Sequence, residues 1–127
     1  MVDIVRASGL SCGRRQLLDE NGDVIFWYVD DTLDQVFTFL NPDGTPVDLT
    51  GLIYRAILKR DLSEGSFLHF DKVLTLTDPV NGVATLNIVA GDLIEADHFI
   101  LEIYEDLSGG AKKTIDQFEI DVLESAF

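Results

Sequence analysis

The sequence predicts an all-β protein, a sandwich or barrel of about six to eight short strands. Three observations carry that prediction. Apolar side chains recur at every second residue in most segments, turn residues interrupt them at short and even spacing, and only one stretch has helical character. Successive side chains of a strand point to opposite faces, so alternation of this kind marks a strand with one buried and one wet face. Such strands, broken by regular turns, are the pattern of a sandwich or barrel.

Taken in order, residues 1–22 are the least strand-like. They carry Arg6, Arg14 and Arg15, matched by Asp3, Asp19 and Glu20, and alternate weakly. The segment reads either as a tail with an edge strand or as an arm. An arm of this kind would order on a neighbouring acidic subunit through its three arginines. Residues 23–127 form the sandwich domain. Asp19-Glu20-Asn21-Gly22 suits a turn into Val24-Ile25-Phe26-Trp27-Tyr28-Val29, a run that is apolar on both faces. A strand reads this way when both faces lie on its own core, or when one face lies on a partner. Phe26, Trp27 and Tyr28 are therefore candidate interface residues, because aromatic side chains are favoured anchors in protein contacts.

Val36–Leu40 follows, with Phe37 and Phe39 on one face, and Asn41-Pro42-Asp43-Gly44 closes it with a proline-glycine turn. Leu52, Tyr54, Ala56 and Leu58 share one face of the next strand, and Asp61–Gly65 suits a hairpin to Phe67–Phe70. Asp78-Pro79-Val80-Asn81-Gly82 breaks the chain before a strand with Ala84, Leu86 and Ile88 inward. Gly91–Asp97 is the one helical turn. Phe99, Leu101 and Ile103 then oppose Glu102 and Tyr104. After the Asp106–Gly110 break, Phe118, Ile120 and Val122 oppose Gln117, Glu119 and Asp121.

Charge narrows the function. Nine Lys and Arg stand against 23 Asp and Glu, a formal net charge of −14 over 127 residues. Residues 1–22 are neutral, so the whole excess falls on 23–127. A nucleic-acid partner needs a basic stripe that releases counterions, and an anionic membrane needs the same. Both are disfavoured. Disorder is disfavoured too, since 46% of residues are hydrophobic and eight are Phe. Cys12 alone cannot form an intramolecular disulfide, which fits a reducing compartment or a particle assembled in one. The sequence shows neither a transport signal nor an apolar run near the ~20 residues of a membrane helix.

The residues able to carry chemistry do not converge on a site. Gly9-Leu10-Ser11-Cys12-Gly13 matches the letters of a nucleophile elbow, but that motif needs a strand before it, a helix after it and an α/β sheet. It reads as a small-residue turn. His69 and His98 lie far apart, with no Cys/His cluster around either. The acidic groups Asp30-Asp31-Thr32-Leu33-Asp34 and Asp43 with Asp48 lack the spacing of a calcium loop and read as solvated loops. Weak divalent binding shared between subunits is the minority reading. No cofactor, metal or catalytic residue is expected.

The stretch Val36-Phe37-Thr38-Phe39, with Asn41-Pro42-Asp43-Gly44-Thr45-Pro46-Val47-Asp48-Leu49-Thr50-Gly51, resembles the opening of a β-sandwich module common in tailed-bacteriophage virions. It is similar to the N-terminal anchoring domain of phage baseplate upper proteins and related tail or fibre proteins. Asn81–Leu86, His98–Tyr104 and Phe118–Val122 continue the pattern, so the resemblance spans about residues 30–124. It departs at Asp97-His98-Phe99, where related sequences tend to place glycine before the aromatic. The resemblance implies an immunoglobulin-like antiparallel sandwich with no active site, made in the host cytoplasm and built into the virion. Its expected partners are other virion proteins, in a homo-oligomer or symmetric array. A host-surface carbohydrate-binding module and a capsid decoration protein are the alternatives.

Overall fold

The structure, a computed structural model, describes residues 2–5, 15–19, 21–60 and 68–124. It is a β-sandwich of two sheets. The strands among the described residues are β1 (Val2–Val5), β2 (Arg15–Gln16), β3 (Trp27–Tyr28), β4 (Leu33–Leu40), β5 (Tyr54–Lys59), β6 (Leu68–Val73), β7 (Thr75–Asp78), β8 (Val83–Ile88), β9 (Asp97–Asp106) and β10 (Lys112–Leu123). One sheet has the order β1-β4-β8-β7; the other runs β2-β10-β9-β5-β6, with β3 also paired to β10.

The pairing is antiparallel except at the N-terminal strands. β1 lies parallel to β4, while β2 and β3 lie parallel to successive stretches of β10. The expected antiparallel sandwich is thus edged by parallel additions. Parallel neighbours cannot be joined by a tight hairpin, so these strands reach their partners by longer connections. The described parts of residues 1–22 pair with both sheets.

Alternation places the core as the sequence pattern requires. Phe37 and Phe39 from β4, Tyr54, Ala56 and Leu58 from β5, Ala84, Leu86 and Ile88 from β8, Phe99, Leu101 and Ile103 from β9, and Phe118, Ile120 and Val122 from β10 are all buried. Aromatic rings lock the two layers together. Phe37 stacks on Phe118 with ring centroids 6.3 Å apart, and Phe39 meets Tyr54 edge-on at 4.8 Å. Such pairs add about 0.5–1.5 kcal/mol each beyond the area they bury.

Turns close the strands as their residues demand. Gly44 N–H donates to the Asn41 carbonyl across Pro42-Asp43, and Gly44 takes a φ of +88° that glycine accepts without strain. Gly82 is the tightest point: at φ +75° its Cα faces the Phe39 and Val47 carbonyls. The Asp61–Gly65 turn and Phe67 lie outside the described residues, but β5 and β6 pair antiparallel as a hairpin would.

Three expectations are corrected. Gly91–Asp97 is not helical. Asp92 accepts the Val89 N–H, Leu93 is buried, and the Leu93 carbonyl accepts from Asp30 N–H, so local and tertiary bonds hold the segment as a loop. The outward face of β9 is not wet, because Ile100, Glu102 and Tyr104 are buried beneath side chains from neighbouring strands. The Val24–Val29 run is not a strand buried on both faces. Only Trp27–Tyr28 pair as strand, and Phe26 and Tyr28 are exposed.

Candidate functional site

The exposed apolar side chains that gather on one face lie along the edge where β2 and β3 meet β10. Leu17 and Trp27 point into the core, so their neighbours Leu18, Phe26 and Tyr28 point out. Val24 bridges Leu18, and Leu123 pairs with Tyr28, which puts both on that same outward side. Directly opposed residues of a pair share a face. Phe26 and Tyr28 are 44% and 42% exposed, and Leu18, Val24 and Leu123 are exposed beside them.

The edge is built by local chemistry. The Asp19 carboxylate accepts the backbone N–H groups of Asn21 and Asp23, and Gly22 N–H donates to the Asp19 carbonyl. This Asx-type turn returns the chain so that Leu18 meets Val24. Ile25 N–H then donates to the Leu17 carbonyl, and Val29 N–H to Leu123, pinning the ribbon to β10. Asp30 follows at φ +64°, a left-handed conformation that Asp tolerates better than most residues.

Trp27 does not belong to this surface. It is 1% exposed and pairs with Val122 on the core side, so the alternation that exposes Phe26 and Tyr28 buries the ring between them. Among the described residues its Nε1 has no hydrogen-bond partner. Of the candidate arginines, Arg6 and Arg14 lie outside the described residues, and Arg15 enters by its backbone pairing to Phe118 in β10. Cys12 and the Gly9–Gly13 motif also lie outside them. Leu18, Val24 and Leu123 escape sequence reasoning, since only the register of three separate segments brings them beside Phe26.

Polar networks cover the rest of this sheet's outer face. His98 Nδ1 lies 2.6 Å from Asp121 and Nε2 lies 3.3 Å from Glu119. Both contacts are hydrogen bonds only when both ring nitrogens carry protons. The bond to Asp121, helped by Glu119 and opposed by partial burial, raises the His98 pKa above its ordinary value. Glu102 accepts from Lys112 and Gln117 at 2.9 Å and from Lys59 at 3.3 Å. Burial pushes its carboxyl up, but those donors and charges outweigh it and hold the pKa below the usual range. Asp71 accepts from Arg55 at 2.9 Å and from the Tyr104 hydroxyl at 3.1 Å. These are strand-to-strand ties across β5, β6, β9 and β10.

Other features offer less. A groove of about 510 Å³ at the opposite end of β10 is walled by Gly51, Gly109, Gly110, Ile53 and Leu107, with Glu105 and Asp106 at its side. Among the described residues no group of three His, Cys, Asp or Glu is arranged to hold a metal, and no helix is long and apolar enough to cross a membrane. The Asp43 and Asp48 carboxylates instead accept from Thr45 and Thr50 within their own turns, which lowers both pKa values.

No protein-family model and no curated protein sequence matches the chain. Among solved structures it is similar to the N-terminal domain of ORF48 of phage TP901-1. The TM-score is 0.60 at 11% identity, covering 98% of this chain and 96% of that one. The likeness is one of fold, and it extends through the full sandwich.

Proposed function

We propose that the chain is a non-enzymatic structural protein of a tailed-phage particle, joining neighbouring virion proteins in a tail, baseplate, neck or fibre attachment. The observation that carries this reading is the end-to-end fold likeness to a domain of a phage protein. It agrees with the turn pattern of residues 30–124. The exposed edge of Leu18, Val24, Phe26, Tyr28 and Leu123 supplies a means, because large apolar groups left together on a folded domain mark contact surfaces. A stable contact covers about 800 Å² per partner, so this edge would form its centre rather than its whole extent. A carbohydrate-binding module has less support, since the indole that would stack best on a sugar is in the core.

Mass spectrometry of purified particles tests the proposal. Fixed stoichiometry with the known tail proteins is the expected result. Absence from intact particles refutes it, and glycan binding lost on Tyr28→Ala with folding intact would favour the carbohydrate module instead.

A further inference from the structure

We infer that the β2–β3–β10 edge takes a protein surface with an apolar centre and a Lys/Arg rim, and does not take a second copy of this chain. The inference rests on the assembly role proposed above and specifies the partner's chemistry. The described side chains of residues 16–19, 21–31 and 117–124 include seven charged groups, and all are acidic: Asp19, Asp23, Asp30, Asp31, Glu119, Asp121 and Glu124. They surround the apolar strip by register. Asp19 and Asp23 close the turn beside Leu18 and Val24; Asp30 and Asp31 follow Tyr28; Glu124 follows Leu123; Glu119 and Asp121 share the outward face of β10 with Leu123. Among the described side chains His98, opposite Asp121, is the basic group that contacts them, and it engages two of the seven.

This arrangement selects among occupants. Two copies joined through the same face would set one acidic rim on the other, and like charges brought together across an interface cost several kcal/mol. A basic rim instead gains from each pairing and is steered in from a distance. Phosphate-bearing partners meet the same repulsion as a second copy. The apolar strip then supplies the desolvated centre, with charge at the solvent-exposed margin where it sets rate and partner choice.

Two extended peptides probe the edge of the full chain, one alternating Ile with Lys and one alternating Ile with Glu. Binding is read by fluorescence anisotropy at roughly 50 and 300 mM salt, which shortens the screening length by more than twofold. The Ile/Lys peptide should bind and weaken about tenfold at the higher salt, while the Ile/Glu peptide should not bind. Phe26→Ser with Tyr28→Ser should abolish that binding. Asp30→Asn with Asp31→Asn and Glu124→Gln should weaken it about fivefold and flatten the salt dependence. Circular dichroism verifies folding of each variant.

Equal binding of both peptides, or indifference to the three charge changes, overturns the basic partner while leaving the apolar edge in place. Binding that survives loss of Phe26 and Tyr28 removes the edge itself from the account. Sedimentation showing dimers that strengthen with salt and vanish with the Phe26 and Tyr28 changes would identify a second copy as the occupant and overturn the inference.

Discussion

Trp27 provides the sharpest test of how the edge is built. If alternation places it inward, Trp27→Ala removes a fully buried indole that sits against Val122. Truncating a buried Trp or Phe costs about 3–5 kcal/mol. In a domain of 127 residues each kcal/mol lowers the melting temperature by about 4 °C, so a fall of about 12–20 °C follows. Trp27→Phe should behave differently. It gives up about 50 Å² of buried ring, about 1.2 kcal/mol. It also removes an indole N–H that has no partner among the described residues, and an unsatisfied buried donor costs about 1–3 kcal/mol. The two effects oppose each other, leaving Trp27→Phe between about 0.2 kcal/mol less stable and about 1.8 kcal/mol more stable than the parent. Urea unfolding followed by far-UV circular dichroism measures both variants without needing the lost chromophore. Because Trp27 is the only tryptophan, the parent's emission should be blue-shifted and weakly quenched by acrylamide. A loss below about 1 kcal/mol for Trp27→Ala would refute the inward placement. A cost for Trp27→Phe well above about 1.2 kcal/mol would refute the unpaired N–H.

Three further outcomes are expected. Gly82→Ala should destabilise by more than about 2 kcal/mol, since its Cβ would lie 2.5 Å from the Phe39 carbonyl oxygen at φ +75°; Gly51→Ala, at φ +79° with open space around it, should cost only about 1 kcal/mol, and equal losses in thermal melts would dismiss the clash. His98 is held above its ordinary pKa by Asp121 and Glu119, so its stabilising effect is complete below the unfolded value and is lost as pH rises through the folded one. The stability gap between parent and His98→Gln should therefore shrink as pH rises from the unfolded value of about 6.5 through the raised folded one, and a constant gap would deny the ion pairs. Glu102→Gln should cost about 1–2 kcal/mol by leaving Lys59 and Lys112 without their shared anion. Because the Glu102 pKa is lowered, its contribution holds above the unfolded value and fades as pH falls through the folded one. The parent and Glu102→Gln should thus converge in acid, and divergence there would reverse the reasoning.

Alternation makes the core legible in the sequence. Phe37, Tyr54, Leu86, Leu101 and Phe118 each sit in a run whose period of two admits one inward register, because a one-residue slip would expose every apolar group at once. The turn at Asn41–Gly44 was legible for a similar reason, proline and glycine each admitting few backbone conformations. The run from Val24 to Val29 resisted, since a segment apolar at every position carries no period. Only the pairing of Trp27 with Val122 and Tyr28 with Leu123 settles which side chains face out. The burial of Glu102 was illegible likewise, its cover coming from Lys59, Lys112 and Gln117 on two other strands.

By itself the sequence determined an acidic, all-β domain with an aromatic core, because composition and local period are properties of the chain that folding does not alter. Tertiary structure alone decided that Trp27 is core while Phe26 and Tyr28 are surface, and that Leu18, Val24 and Leu123 join them inside a rim of carboxylates. Those outcomes depend on register between segments about a hundred residues apart, where hydrogen bonding to β10 fixes each side chain's face.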